Sequence, residues 1–119
     1  MPKTQLIADY LHTCARWRIN LVEESDCGRN ARAAIALIDA AEYAASLDEH
    51  DQVVVRLAVA GCFSGGRFDP GGEGERIVRN WCYDGGLQHP GELLELLAEA
   101  AERTVASAPR PPRPRTAQP

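Results

Sequence analysis

The sequence lacks the segments that would take a protein into or across a membrane. No apolar run approaches the roughly 18 residues that a membrane-spanning helix needs. Residues 1–12 contain no basic region followed by an apolar stretch, which a secretory signal would have. We therefore expect a cytoplasmic protein without membrane contact, whose cysteines stay reduced in that compartment.

The four cysteines lack the spacing of a metal site. Structural zinc sites pair their cysteines as C-x-x-C, because two ligands on one tight turn pre-form half of the tetrahedron. Here Cys14, Cys27, Cys62 and Cys82 are each solitary. Cys82 is the best candidate for a nucleophile because His89 follows nearby, but its position on an apolar helix face favours burial. We predict no metal, no cofactor and no catalytic residue, and hence no enzyme.

The glycine-rich stretch GCFSGGRF, residues 61–68, has only part of a phosphate-binding pattern. Gly61 and Gly66 have the spacing of the P-loop G-x-x-x-x-G-K-[ST], but Arg67 stands at the lysine position and Phe68 at the hydroxyl position. Without that hydroxyl the loop offers no ligand for Mg²⁺. The stretch therefore does not predict a nucleotide site.

Apolar residues recur at helical spacing through most of the chain, which predicts an all-α domain of about five helices. Thr4 is a candidate N-cap for the first helix, and Gly28 is placed to close it. Ser46 and Glu49 have capping-box spacing and would open the third helix. A glycine-rich loop at 64–74 would precede the fourth. The predicted helices cover residues 5–25, 30–47, about 47–62, about 75–83 and 90–107.

Residues 53–60 are the ambiguous part of this prediction. Their sequence, VVVRLAVA, is rich in β-branched residues and would also suit a buried strand. No other stretch offers a convincing partner strand, so we interpret it as part of a buried helix. The alternative is an α+β fold with 53–60 as the strand.

The charge is distributed unevenly between a body and a tail. Three of the thirteen basic residues lie in the tail at 108–119, which leaves ten against 17 acidic residues in the helical domain at 1–107, a charge of −7. The tail ends the chain with PRPPRPRTAQP, which can only be extended or polyproline-like. We expect it to be disordered in solution, with Arg110, Arg113 and Arg115 as its charged positions, and its basic charge makes it one candidate contact for nucleic acid.

The last predicted helix carries the widest apolar face. Four leucines within five residues extend it beyond the roughly 100° stripe of an ordinary surface helix, and four glutamates form an acidic ridge opposite. We therefore expect a non-catalytic interaction or regulatory protein that binds a protein partner, itself or another, and is a homo-oligomer. The predicted interface comprises Leu93, Leu94, Leu96, Leu97, Glu92, Glu95, Glu99 and Glu102, with Arg110, Arg113 and Arg115 as a tail anchor.

Two other functions stay open. The predicted helix 75–83 places two arginines, an asparagine and a tyrosine on one face, which suits a nucleic-acid-binding regulator, although the acidic body opposes it. In the second alternative, the protein is an enzyme or binds a small molecule, and the loop 64–74 covers the pocket. The nucleic-acid face is Arg76, Arg79, Asn80 and Tyr83, and the mouth of the pocket is Arg67, Asp69, Glu73 and Glu75.

Overall fold

The computed structural model describes residues 1–82 and 89–107, which form five α-helices and one short 3₁₀ helix at Glu24–Asp26. No strand occurs within these ranges, so the predicted all-α class is confirmed and the alternative strand at 53–60 is wrong. The helices are α1 (Lys3–Ile19), α2 (Arg29–Ser46), α3 (Gln52–Val59), α4 (Gly71–Asn80) and α5 (Pro90–Ser107).

Several predicted residues lie outside the described part of the chain. The tail at 108–119 is one such segment, and Tyr83 of the predicted helix 75–83 is another. The tail arginines Arg110, Arg113 and Arg115 belong to the same group, so their roles stay predictions from the sequence.

Alanine brings the first two helices into close contact. Ala33, Ala36, Ala40 and Ala44 recur every three or four residues along α2 and are fully buried. Their short side chains let α2 pack along α1, and this is the most extensive helix–helix contact in the described fold. Lys3 donates its backbone N–H to Glu49 at 3.1 Å, which ties the start of α1 to the chain just beyond α2.

The fifth helix completes the core because it has neighbours on several sides. It packs against α2, α3 and α4 and contributes three fully buried leucines. Two ion pairs join it to α3, since Arg56 lies 2.6 Å from both Glu95 and Glu102. A third joins it to α4, where Arg103 lies 2.7 Å from Glu73.

The third helix begins later than the capping pattern predicts. Ser46 does not cap it, because its hydroxyl donates instead to the carbonyl of Tyr43 at 2.6 Å. The cap is Asp51, whose carboxylate accepts the backbone N–H of Val53 at 3.0 Å. The helix therefore starts at Gln52 rather than near residue 47, and it is only eight residues long.

The first helix also differs from its predicted boundaries. Thr4 lies buried inside the first turn, and the N-cap is Pro2, which makes no side-chain bond. The helix ends at Ile19 rather than near residue 25. Gly28 caps the start of α2 instead of closing α1, and its φ of 75° is one that glycine adopts without strain.

The predicted loop 64–74 is shorter and better anchored than expected. Its last four residues already belong to α4, which begins at Gly71. Phe68 is 5% exposed and meets the ring of Tyr10 edge-on at 5.4 Å, so the segment is fixed to the core. The backbone N–H of Asp69 donates to the carbonyl of Cys62 at 2.7 Å, which closes the loop.

Candidate functional site

Most of the predicted leucine interface on α5 is buried inside the domain itself. Leu93, Leu94 and Leu97 are 0% exposed, whereas Leu96 is 39% exposed. The first three pack into the shared core, because α5 lies between other helices rather than at the edge of the domain. The expectation that this helix has more apolar surface than the chain can cover is therefore corrected for Leu93, Leu94 and Leu97, whereas Leu96 and Val105 are exposed.

The predicted acidic ridge divides into two parts. Glu95 and Glu102 face α3, where Arg56 holds both carboxylates, and its hydrogen bonds lower the pKa of Glu102. Glu92 and Glu99 lie further round the helix and form no ion pair with the described residues. With Leu96 between them, they make what we call the outer face of α5, namely Glu92, Leu96 and Glu99.

An open hollow of about 490 Å³ lies at the N-terminal end of this outer face. Its apolar part is formed by Val53 and Leu96. The rings of Tyr43 and His89 line its side and pack edge to face, with 5.1 Å between their centroids. Asp51, Glu92 and Glu95 give it an acidic rim. The hollow therefore extends a negatively charged, partly apolar surface beyond the helix itself.

The described residues predicted to contact nucleic acid differ in their contacts within the domain. Arg79 turns toward α1. Its guanidinium lies 3.4 Å from Glu75 of its own helix and 6.0 Å from the centre of the Trp17 ring on α1. The amide of Asn80 donates back to the carbonyl of Arg76 at 3.0 Å, so it is occupied by its own helix. Arg76 is exposed and forms no ion pair with the described residues.

The four residues predicted for the mouth of a pocket are also separated. Glu73 pairs with Arg103, whereas Asp69 accepts the backbone N–H of Gly71 at 2.9 Å. Arg67 and Glu75 line two different hollows beside α1. These four side chains therefore do not line a single pocket under the loop.

The exposed apolar surface that we predicted on α5 occurs instead on α1. Ile7 and Leu11 enter the core with 0% exposure, but Trp17 is 46% exposed, and Tyr10 and Cys14 are half-buried. These last three residues form one wall of a groove of about 260 Å³ between α1 and α4. Leu37 and Val78 form its apolar floor, and Thr13, Glu75 and Arg79 complete the lining.

A second hollow of about 360 Å³ continues the groove toward the start of α1. The two share Tyr10 and Thr13, and the second is lined further by Leu6, Phe68 and Arg67. We call the first hollow the α1–α4 groove. Together the two hollows follow about 16 Å of α1 from Leu6 to Trp17, or three helical turns.

Two of the ionisable groups in this groove, Tyr10 and Cys14, are held in their neutral forms. Burial raises the pKa of the Tyr10 phenol well above its ordinary value, and the neighbouring Cys14 adds to the effect. Burial likewise raises the pKa of the Cys14 thiol. Both groups are therefore neutral at physiological pH, and the groove offers apolar surface and hydrogen bonds rather than a nucleophile.

Two further observations bear on the class of protein. Within residues 1–82 and 89–107, no three His, Cys, Asp or Glu side chains are grouped as metal ligands would be. Among the described helices, none combines the length and apolar character needed to cross a bilayer. Comparison with known proteins gave no match, since no family model, no curated protein and no solved structure is significantly similar to the chain.

Proposed function

We propose that this is a cytoplasmic, non-catalytic interaction protein that associates with copies of itself, the tail of one copy binding the outer face of α5 in another. The observation that carries the proposal is a match in spacing between two carboxylates on α5 and two arginines in the tail. Glu92 and Glu99 are two helical turns apart, which corresponds to about 10.5 Å. Arg110 and Arg113 are three residues apart in the sequence, which would correspond to one turn, or about 9.3 Å, in the polyproline conformation that the sequence of the tail predicts.

The apolar residues of the two segments alternate with the charges in the same order. Leu96 lies between Glu92 and Glu99, and Pro111 and Pro112 lie between the two arginines. Proline-rich segments lose little conformational entropy when they dock. The outer face therefore offers charge, apolar surface and spacing that suit this segment.

The length of the chain favours a tail from a second copy. The three residues from Ser107 to Arg110 span at most about 11 Å when fully extended. Glu99 lies eight residues before Ser107, about 12 Å back along α5. A tail that folded back on its own helix would therefore need more than this length to bring the backbone of Arg110 level with Glu99, whereas the tail of another copy has no such constraint.

The expected association is weak and sensitive to salt. Exposed ion pairs contribute about 0.2–1 kcal/mol each, so two pairs alone do not hold a stable complex. The contact between Leu96 and the prolines adds apolar burial. Because the carboxylates are exposed, salt at about 1 M, where the screening length falls to about 3 Å, should largely abolish the association.

A charge exchange between two variants tests the proposal. One variant carries Glu92→Arg and Glu99→Arg, and the other carries Arg110→Glu and Arg113→Glu. Each alone places like charges together and should sediment as a monomer, because face and tail repel. Mixed in equal amounts, each face meets a tail of opposite charge, so association should return in sedimentation velocity experiments.

The control is Glu24→Arg with Glu42→Arg, two exposed glutamates that are not part of the outer face. This variant has the same change in net charge as the Glu92→Arg/Glu99→Arg variant and should still associate, while circular dichroism checks that every variant is folded. A wild-type chain that stays monomeric at high concentration would exclude the proposal. A mixture that stays monomeric would exclude the exchange of tails between copies.

A further inference from the structure

The two ends of the outer face of α5 differ in charge. At the N-terminal end lies the hollow of about 490 Å³, whose described lining has no arginine or lysine and three carboxylates, namely Asp51, Glu92 and Glu95. At the other end, Arg103 lies one turn beyond Glu99 on the same side of the helix. A charged segment that lies along the outer face therefore meets carboxylates at one end and a guanidinium at the other.

This difference remains when the ion pairs within the domain are counted. At the hollow, Arg56 pairs with Glu95, whereas Asp51 and Glu92 form no ion pair with the described residues. At the other end, Arg103 pairs with Glu73. The hollow therefore stays negatively charged, and the opposite end is close to neutral.

The tail is also charged unevenly along its length. Arg113 and Arg115 lie two positions apart, whereas residues 108–109, which precede Arg110, are uncharged. In the polyproline conformation that the sequence predicts, Arg115 would lie about 6 Å beyond Arg113. The C-terminal half of the tail therefore carries more positive charge than the part that joins α5.

These spacings favour one of the two directions in which the tail can lie on the outer face. With Arg113 at Glu99, the last arginine would come level with Arg103, which is about 6 Å further along the helix, and would meet a guanidinium rather than a free carboxylate. With Arg113 at Glu92, it would instead reach the acidic hollow. We infer that the tail lies antiparallel to the α5 helix that it binds, and that Arg115 occupies this hollow. The inference rests on the proposed exchange of tails and adds the direction of the tail and the site of its last arginine.

The lining of the hollow suits an arginine side chain. Val53 and Leu96 give it apolar surface, and the ring of Tyr43 lies at its side. An arginine can lay its aliphatic stem on such surface, stack its planar guanidinium on an aromatic ring and donate to a carboxylate. Arg115 is also the one arginine of the tail that no proline follows, so its backbone is free to turn the side chain toward the hollow.

Reversal of one charge distinguishes the two directions of the tail. Arg115→Glu adds a carboxylate to those of the hollow and should weaken association about three- to tenfold, measured by sedimentation velocity over a concentration series at low salt. In the opposite direction the new carboxylate would lie beside Arg103, so association would be unchanged or tighter. Arg67→Glu is the control, because it makes the same change of charge at an exposed arginine that lines neither the hollow nor the outer face, and it should associate like the wild type.

A photo-crosslinker locates the end of the tail directly. With p-benzoylphenylalanine in place of Thr116, crosslinks should form to Val53 or Leu96 in the hollow, and with the same group in place of Ala108 they should form near Arg103. Mass spectrometry of an equal mixture of isotope-labelled and unlabelled copies shows whether the two crosslinked peptides come from different chains.

Failure of the direction and failure of the exchange give different results. If the wild type associates and the two charge-exchange variants associate when mixed, an unchanged or tighter association of Arg115→Glu would overturn the inferred direction alone. Crosslinks in the reverse order would do the same. A wild type that stays monomeric, or crosslinks confined to single chains, would overturn the exchange and the direction together.

Discussion

At Gly74, α4 approaches its surroundings so closely that a side chain does not fit. A Cβ atom there would lie 2.6 Å from Cβ of Pro70 and 3.3 Å from Cδ2 of Leu97. Contacts under 3.0 Å force a shift, and the rigid proline ring cannot move far. The close approach of α4 to α5 therefore depends on a glycine that the sequence presents as one of several in a loop.

Gly72 offers the matched comparison, since it is in the same helix and has nothing within 4 Å of its Cβ position. We expect Gly74→Ala to lower the free energy of unfolding by about 1–2 kcal/mol, because the cost of overpacking exceeds the gain in helix propensity. Gly72→Ala should raise it by up to about 1 kcal/mol. Urea denaturation of both variants measures these changes, and equal effects would mean that α4 can shift to accept the methyl group.

Arg18 shows that helical periodicity does not predict the contacts of every side chain on a helix. Helical spacing puts it on the apolar face of α1, where an arginine is expected to lay its aliphatic stem along the surface and point its charge outward. Its guanidinium instead donates to Oδ1 of Asn30 at 2.8 Å and to the carbonyl of Arg79. Sixty-one residues separate Arg18 from Arg79, and a helical pattern carries no information about that contact.

At the scale of helices, α3 is held to α5 by charge as well as by burial. Arg56 alone bridges the two carboxylates that the acidic ridge directs toward α3. The short helix has only three buried side chains, Val53, Val54 and Leu57, so it depends on this bridge more than a longer helix would. The bridge should therefore contribute to stability in a way that depends on salt and pH.

We expect Arg56→Gln to lower the midpoint of thermal unfolding by roughly a few degrees at pH 7. The pKa of Glu102 is lowered from its usual 4.5 in the folded state, so its contribution is full above that value and is lost as the pH falls through the lowered pKa. The difference between variant and wild type should accordingly shrink in acid and in high salt. Arg67→Gln, at an exposed arginine without an ion pair in the described residues, is the control, and a difference unchanged at pH 3 would contradict the role of the bridge.

Helical spacing predicted which elements exist better than which faces they cover. It placed α2 and α5 almost to the residue, because long periodic segments leave little choice of structure. Helical spacing also puts Leu93, Leu94 and Leu97 on one face of α5, and Trp17 with Leu11 on one face of α1. Periodicity does not predict how many other helices pack against a given helix. That number determines which faces are covered, so the three leucines of α5 are buried whereas Trp17 is exposed.

For the whole molecule, the burial of the cysteines defines what is accessible in the folded state. Cys27 is exposed, Cys14 is half-buried, and Cys62 and Cys82 are buried. The Sγ atom of Cys82, our best candidate for a nucleophile, lies 3.9 Å from the carbonyl of Arg29 and faces the protein interior. Its position supports the prediction from sequence that the residue is buried.

We expect one thiol of the native protein to react rapidly with a disulfide reagent, and Cys27→Ser should remove that fast phase. Cys62 and Cys82 should react only as the domain unfolds, since both are less than 10% exposed and burial raises the pKa of Cys62. Thiol titration with and without denaturant measures this. A second fast phase assigned to Cys82 would show that this thiol is reachable in the folded chain and would reopen the case for chemistry there.

The contacts of Arg18 also determine how the α1–α4 groove behaves along its length. They fasten the end of α1 to the end of α4, and the two helices otherwise touch little. By joining the last turn of α1 to the carbonyl of Arg79, Arg18 fixes the distance between the two helices at the end of the groove where Trp17 lies.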